Sequence, residues 1–238
     1  MTEGARGQPP RALFFWLRVM GFQLAPDISF CDAGGRFVFL DLAADRYFCL
    51  GADMERAFAR LIAAEPLPDD DRDRLASLVR QRLLVEGDGR GAPLHCIPPI
   101  APVRSAFEGT ADAGLRHVLG ASVSLVRARI ELRYRSLCRL IGALRVAKAE
   151  RLRTDENENA AMLAEAFRRA ALITGSLNQC LAISIAMTRK AIANNLDVDL
   201  VMGVRLRPFQ AHAWVQHGEL LLSDELDTVT PFTPILLI

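Results

Sequence analysis

The stretch that decides the fold runs from residue 180 to residue 224 and reads CLAISIAMTRKAIANNLDVDLVMGVRLRPFQAHAWVQHGELLLSD. Its first part places apolar residues at helical spacing until Asn194 and Asn195, and its second part contains the segments VDLVMGVRL, HAWVQHG and ELLLSD. These patterns predict a helix that begins near Cys180, followed by three short strands of an antiparallel sheet. The sequence therefore indicates an α+β fold for this half of the chain.

Cys180 lies at the predicted start of that helix. The turn and cap formers TGSLNQ precede it, so the thiol would sit where the helix dipole and free backbone N–H groups favour a thiolate. The same N–H groups can hold the oxyanion of a tetrahedral intermediate, and the side chains of Gln179 and Asn178 are candidate additional donors. We expect Cys180 to be a nucleophile.

A thiolate nucleophile needs a base, and the strand that contains His212 supplies one. If the following turn is centred on Gly218, residues equally far from it face each other, which pairs His212 with Asp224. Directly opposed residues have Cβ atoms roughly 5 Å apart. The carboxylate could then fix the imidazole tautomer, so the spacing predicts a Cys180, His212 and Asp224 triad.

Other residues offer weaker candidates for the same roles. The chain has four histidines, and His217 falls in the predicted turn, where we expect it to be solvated and without an opposing carboxylate. Glu225 and Asp227 are the alternative acids if the turn is shifted. A lone buried cysteine or strand histidine is usually structural, but the two together with an opposed aspartate favour catalysis.

Composition places the chain among folded globular proteins. Of its 238 residues, 51% are hydrophobic and 24% are charged. The apolar run at 12–24 is interrupted by Arg18 and lacks a cleavage site, so we expect neither a signal peptide nor a membrane span, and a cytoplasmic location. Five cysteines without paired spacing predict neither disulfides nor a metal site, and no cofactor is expected. The cysteines are Cys31, Cys49, Cys96, Cys138 and Cys180.

The first 90 residues have a different pattern. The segments ISFC, RFVFLDL and YFCLG read as three strands, and Gly34 and Gly35 supply the positive φ of a tight turn. Two amphipathic helices follow, DMERAFARLI with Asp53 as its cap, and DRDRLASLVRQRLLV, whose end includes LLV. Three strands and two helices in this order predict a winged-helix-like domain.

Glycine and proline divide the chain. They make up eight of the 23 residues from 87 to 109, which predicts an interdomain linker. The predicted organisation is a winged-helix-like domain at 1–88, a linker at 89–110 and a catalytic domain at 111–238. Residues 111–173 contain no proline and predict two or three helices ahead of the sheet.

Charge is distributed unevenly. Residues 115–153 carry 10 basic and 2 acidic side chains, and we expect a basic helix from Arg127 to Arg153. It is either a solvated face or a docking surface for an acidic partner. Residues 1–90 carry 12 basic and 14 acidic side chains, which argues against DNA binding by the winged-helix-like domain.

Residues 177–224 resemble the transglutaminase-like core of lasso peptide B proteins, the leader peptidases of lasso peptide biosynthesis. The shared pattern is a Cys-Leu helix start, a Gly-Val strand, Pro-Phe before Ala-His-Ala-Trp-Val, and an aspartate twelve residues after the histidine. The resemblance implies that Cys180 is the nucleophile, His212 the general base and Asp224 its orienting partner. Gln216 departs from the family, which commonly has Glu there, and we expect little effect.

The first half looks like the precursor-peptide recognition element of the same family. The resemblance implies a papain- or transglutaminase-like cysteine peptidase that removes the leader of a ribosomally made precursor peptide. It also implies an asparagine-synthetase-like cyclase as partner. Leader binding would add a peptide strand beside the third predicted strand and against the last helix. The implied contact residues are Tyr47, Phe48, Cys49, Leu50, Leu75 and Leu78.

Two other functions stay open on sequence alone. A transglutaminase or other acyltransferase would use the same triad and pass the acyl group to an amine instead of water. A winged-helix DNA-binding regulator is the alternative from a different class, and the acidic run at residues 69–73 opposes it.

Overall fold

A computed structural model describes residues 21–87, 92–109, 111–150, 157–176 and 179–238. The described chain is a mixed α+β protein, as predicted. Its N-terminal part is a small three-stranded sheet with two helices, and its C-terminal part is a group of helices packed on a five-stranded sheet. Among the described residues, no helix is both long and apolar enough to cross a membrane.

The three predicted strands of the first half are present and form an antiparallel sheet in the order β2-β3-β4. Gly34 and Gly35 have φ values of 66° and 82°, which a residue with a Cβ rarely adopts. The sheet places β4 at an edge. The strands are β2 (Ile28–Asp32), β3 (Phe37–Asp41) and β4 (Arg46–Cys49).

Two helices follow this sheet, α1 (Ala52–Ile62) and α2 (Asp69–Arg80). Gly51, and not Asp53, is the N-cap of α1, so the predicted cap is wrong by two residues. The LLV segment does not end α2. Its last two residues begin strand β5 (Leu84–Gly87), which pairs antiparallel with β1 (Gly21–Leu24). The winged-helix interpretation of this half stays a prediction.

The sheet of the first half is buried on both faces. Phe30 and Phe39 point toward α1 and α2, where the ring centroids of Phe30 and Phe58 lie 5.0 Å apart. Val38 and Leu40 point the other way, into the core shared with the C-terminal half. Strand β3 is apolar along nearly its whole length because both faces exclude water.

Three helices occupy the region predicted to hold two or three, and a fourth carries Cys180. Helix α3 ends at Tyr134, and Arg135 has an extended backbone before α4 begins. The predicted continuous basic helix from Arg127 to Arg153 is therefore wrong, because the helical structure is interrupted at Arg135. Residues 151–153 lie outside the described residues. The helices are α3 (Leu115–Tyr134), α4 (Leu137–Ala149), α5 (Asn157–Thr174) and α6 (Cys180–Ala193).

The C-terminal sheet has the order β10-β7-β8-β9-β6. Helix α6 packs against β7 and β8, so one face of this sheet is covered by the helices. The short helix α7 (Leu226–Val229) joins β9 to β10. The strands are β6 (Arg104–Ser105), β7 (Asp199–Leu206), β8 (Phe209–His217), β9 (Leu220–Leu221) and β10 (Thr233–Leu237).

The described part of the predicted linker, residues 92–109, is attached to both halves. The Cys96 N–H donates to the Phe30 carbonyl in β2, and the Val103 N–H donates to the Glu219 carbonyl beside β9. Strand β6 then joins the C-terminal sheet in parallel with β9. These residues therefore do not form a free tether between the two halves.

Candidate active site

Cys180 is the first residue of α6, as predicted, and Gln179 is the N-cap. The Cys180 side chain is half-buried. Burial opposes ionisation of the thiol. However, hydrogen bonds from His212 and from the Ala213 and Leu181 backbone, with the charge on His212, lower the Cys180 pKa below its usual value. The position therefore favours a thiolate.

His212 lies in β8 opposite Gly203 of β7. The imidazole stacks on Trp214, with ring centroids 6.3 Å apart, and lies 5.4 Å from the ring of Phe232. Gly203 leaves room for these rings, because a Cβ at that position would come within 2.7 Å of Trp214 and 3.0 Å of the Phe232 Cβ. Packing against Trp214 and Phe232 thus holds the imidazole plane.

Asp224 contacts His212, as the spacing predicted, but the strand register differs from the predicted one. His212 Nε2 lies 3.0 Å from Asp224 Oδ1. The ladder pairs His217 with Leu220 and ends at Leu221, so its register is one residue off the predicted one. Continued regularly, it would have placed Glu225 opposite His212. The contact forms because the chain leaves the ladder after β9.

Two serines hold Asp224 after the strand ends. The Ser223 hydroxyl donates to Asp224 Oδ2 at 2.6 Å and accepts the Val215 N–H at 2.9 Å. From the other side, the Ser105 hydroxyl donates to the Asp224 carbonyl at 2.7 Å. These bonds fix both the backbone and the carboxylate. Sequence reasoning missed both Ser223 and Ser105. The only local signal was the position of Ser223 directly before Asp224.

The three residues form a linked set of ionisable groups. Burial alone would lower the pKa of His212. Hydrogen bonds and charges of Asp224 and Cys180 outweigh burial and raise the His212 pKa to about 9. Because Nε2 serves Asp224, Nδ1 is the ring nitrogen left for the thiol. The shifts favour a thiolate and imidazolium pair, the arrangement that activates a cysteine nucleophile.

A cavity of about 100 Å³ opens beside these residues. The polar groups of the set, together with Ser223, line one part of it, and apolar side chains line the rest. The Arg168 guanidinium also lines it and is held by two hydrogen bonds to Glu165, at 2.6 and 2.8 Å. The apolar lining residues are Phe107, Phe167, Ala171, Ile183 and Met187.

The candidate oxyanion donors are only partly described. The Gln179 backbone N–H is already bonded to the Ser176 carbonyl, and its side chain makes no cap hydrogen bond. The side chain therefore stays a candidate donor. Asn178 lies outside the described residues.

The alternative residues take other positions. His217 is not a solvated turn residue, because it ends β8, is partly buried and hydrogen-bonds through Nδ1 to the Asp197 carbonyl. Glu225 is the N-cap of α7. Asp227 lines a second, shallower cavity that His212 borders from its other side. Gln216 is fully buried, and its amide donates to the Ile100 and Gly218 carbonyls.

The predicted leader-binding residues divide into two groups. Leu75 and Leu78 are 0% and 3% exposed in the core beneath α2, so direct contact with a peptide is wrong for them. The predicted docking helix also ends at Arg80. The residues of the edge strand and its end are more open, except for Leu50. Tyr47 and Phe48 are partly buried, Cys49 is exposed, and Leu50 is only 8% exposed.

Tyr47 links the edge strand to the candidate active site. Its ring centroid lies 5.6 Å from that of Phe209 at the start of β8. Burial, then the charges of Asp45 and Cys180, raise the pKa of Tyr47 above its usual range. The first half of the chain therefore contacts β8, the strand of His212, through β4, which the sequence did not indicate.

One family model matches the part of the chain that contains the candidate active site. Residues 122–237 match the model of the transglutaminase-like superfamily. The match begins within α3 and ends in β10, so the matched segment contains Cys180, His212 and Asp224. Within the described residues, no group of three His, Cys, Asp or Glu side chains could hold a metal ion.

A curated relative gives a narrower similarity. The microcin J25-processing protein McjB of Escherichia coli is 40% identical to this chain over 47 residues, which are 20% of the chain. The chain spans 23% of that relative's length. No solved structure matches the chain.

Proposed function

We propose that this chain is a cysteine endopeptidase that recognises the leader of a ribosomally made lasso precursor peptide and cleaves it off. The observation that carries the proposal is the contact of His212 with Asp224 beside the Cys180 thiol at a helix start. The transglutaminase-like match and the relative that processes microcin J25 support this substrate class.

The proposed reaction follows from the protonation states of the triad. The Cys180 thiolate attacks the carbonyl carbon at the end of the leader, and backbone N–H groups at the α6 start face the resulting oxyanion. The His212 imidazolium gives its proton to the leaving amine as the C–N bond breaks. His212 then takes a proton from water, whose oxygen attacks the thioester and releases the leader as an acid. Asp224 orients the ring in both steps.

The proposed products connect the chain to a partner. Hydrolysis frees the amine of the core peptide, and an asparagine-synthetase-like cyclase would join this amine to a side-chain carboxylate. The precursor peptide and that cyclase are thus the proposed partners, and the reaction belongs in the cytoplasm. No cofactor enters the proposed steps.

Leader recognition is proposed for the N-terminal half, residues 1–88. Strand β4 is an edge, and among the described residues no strand pairs with its outer side. Such an edge offers unpaired backbone groups to an extended peptide. Adding the leader peptide should protect β4 amides from hydrogen exchange. Protection elsewhere, with β4 unchanged, would remove this part of the proposal.

The central test is incubation with the precursor encoded beside this chain, followed by mass spectrometry of the products. We expect Cys180→Ala to abolish cleavage. Cys96→Ala is the matched control, because Cys96 is a half-buried thiol away from the triad, and it should cleave at the wild-type rate. Full cleavage by Cys180→Ala would show that the nucleophile lies elsewhere.

Acyl transfer is the second candidate function, favoured by the transglutaminase-like match. Transglutaminases form the same thioester and pass it to an amine. The masses distinguish the two reactions, since hydrolysis splits the peptide with addition of water and transamidation joins an amine with loss of ammonia. We expect the split peptide.

A further inference from the structure

We propose that helix α3 lies on the surface of an anionic membrane and holds this chain there as a peripheral protein. Six large apolar residues are exposed along α3, and we call them the apolar stripe. None of the six lines the cavity at Cys180, so this surface lies outside the candidate active site. The members of the apolar stripe are Leu115, Leu119, Val123, Val126, Ile130 and Tyr134.

The apolar stripe follows one side of α3 from its first residue to its last. Its members recur at intervals of three or four residues, which keeps them on one side of a helix with about 3.6 residues per turn. Each member is between 42% and 77% exposed. The buried residues of α3 lie on the opposite side and include Val118, Leu125 and Ala128. A contiguous exposed patch of large apolar residues marks a surface that binds a protein or a membrane.

Arginine is the only other residue type exposed on α3. Arg116 and Arg127 lie along one border of the apolar stripe, and two further arginines lie along the opposite border. The single acidic residue of the helix, Glu131, is buried and paired with Arg127. The exposed side of α3 therefore combines apolar side chains with positive charge alone. The two further arginines are Arg129 and Arg133.

Charge complementarity favours a lipid surface with anionic headgroups as the occupant. On such a surface, apolar side chains enter the boundary of the acyl chains, while the guanidinium groups of bordering arginines reach back to the lipid phosphates. The apolar stripe spans about 100° of the helix circumference, which is wider than the seam of a coiled coil. A broad apolar surface thus fits α3 better than a single partner helix does.

A second copy of this chain is a poorer occupant. Pairing the stripes of two copies would bring the arginines of both copies together, and no carboxylate of α3 is exposed to offset their repulsion. An anionic leaflet supplies the missing negative charge. Each arginine near such a leaflet should raise binding by about fivefold.

Vesicle co-sedimentation of the full chain tests the inference without a known substrate. The probes are vesicles of phosphatidylglycerol and vesicles of phosphatidylcholine. We expect binding to phosphatidylglycerol to be at least about tenfold tighter, and to weaken as the salt concentration rises. Equal binding to both lipids, or binding to neither, would overturn the inference.

Two pairs of variants locate the contact on α3. Val123→Glu should weaken binding to phosphatidylglycerol by at least about tenfold, because it replaces an apolar contact with a negative charge. Ile97→Glu is the matched control, since Ile97 is 70% exposed in the segment 92–109, and it should bind like the wild type. Arg133→Gln should weaken binding about fivefold, whereas exposed Arg72→Gln on α2 should not. Equal losses within either pair would contradict a contact through α3.

Fluorescence and sedimentation distinguish the membrane from other occupants. Tyr134→Trp should emit at shorter wavelength when phosphatidylglycerol vesicles are added. Co-sedimentation without this shift would mean that another surface binds, and would overturn the inference. A dimer in lipid-free solution that Val123→Glu dissociates, with no vesicle binding by the wild type, would assign the stripe to a second copy and would also overturn it.

The proposed peptidase function is tested separately from this inference. Cys180→Ala should bind phosphatidylglycerol vesicles as tightly as the wild type, since Cys180 does not belong to the apolar stripe. Val123→Glu should cleave a precursor at the wild-type rate in the absence of lipid. Loss of lipid-free cleavage in Val123→Glu, with an unchanged thermal midpoint, would show that α3 serves the reaction and would contradict the inference.

Discussion

Asp224→Asn keeps the shape of the carboxylate but removes its charge beside His212. Burial alone would lower the pKa of His212. Hydrogen bonds and charges of Asp224 and Cys180 outweigh burial and raise this pKa from 6.5 to about 9. That rise corresponds to roughly 3 kcal/mol of preferential stabilisation of the imidazolium. The two partners share this stabilisation, so removing one charge should cost about half of it.

The expected kinetic loss exceeds this electrostatic share, because an amide can also hold the wrong imidazole tautomer. Loss of the aspartate charge in a comparable triad lowers kcat by about 10⁴. We expect Asp224→Asn to lower kcat for precursor cleavage by about 10² to 10⁴. The pH at which iodoacetamide begins to label Cys180 should rise, because a less basic His212 stabilises the thiolate less.

Stability gives the same test a second readout. A raised histidine pKa contributes stability that is fully present below pH 6.5 and is lost as the pH rises through about 9. The difference in free energy of unfolding between wild type and Asp224→Asn should therefore be largest near pH 6 and small at pH 10. Unchanged kcat, or a difference that grows with pH, would refute the triad argument.

Three further substitutions test residues around the site. Ser223→Ala should lower kcat about tenfold by releasing Asp224 Oδ2, with Ser223→Thr restoring it; an equal loss in both variants would refute this. Gly203→Ala should cost about 1–3 kcal/mol of unfolding free energy, because its Cβ would meet Trp214; an unchanged denaturation midpoint would contradict it. Gln216→Glu should destabilise by about 1–3 kcal/mol or more, since a carboxylate would face two carbonyls. Exposed Gln210→Glu is its control, and equal midpoints would contradict that reasoning.

Local signals in the sequence predicted the parts of the site that depend on neighbouring residues. The helix start at Cys180 follows from turn formers before it and apolar helical spacing after it, and α6 begins at that residue. The alternation around His212 predicted strand β8, although the strand begins three residues earlier, at Phe209. Both features are set within about ten residues of chain.

Features that depend on distant residues could not be predicted in this way. Ser105 fixes the Asp224 backbone from 119 residues away, and no local pattern links the two. The LLV segment has an apolar run that suits either a helix or a strand. Its pairing with β1, which sequence reasoning had left without structure, decides between them.

The N-terminal sheet, buried on both faces, limits how this chain could be re-engineered. One face belongs to α1 and α2, but Val38 and Leu40 on the other face complete the core of the C-terminal half. A chimaera that replaced the whole N-terminal half to change substrate would leave that core uncovered. Retargeting should therefore graft new residues onto the outer side of β4 and preserve the inward face of β3.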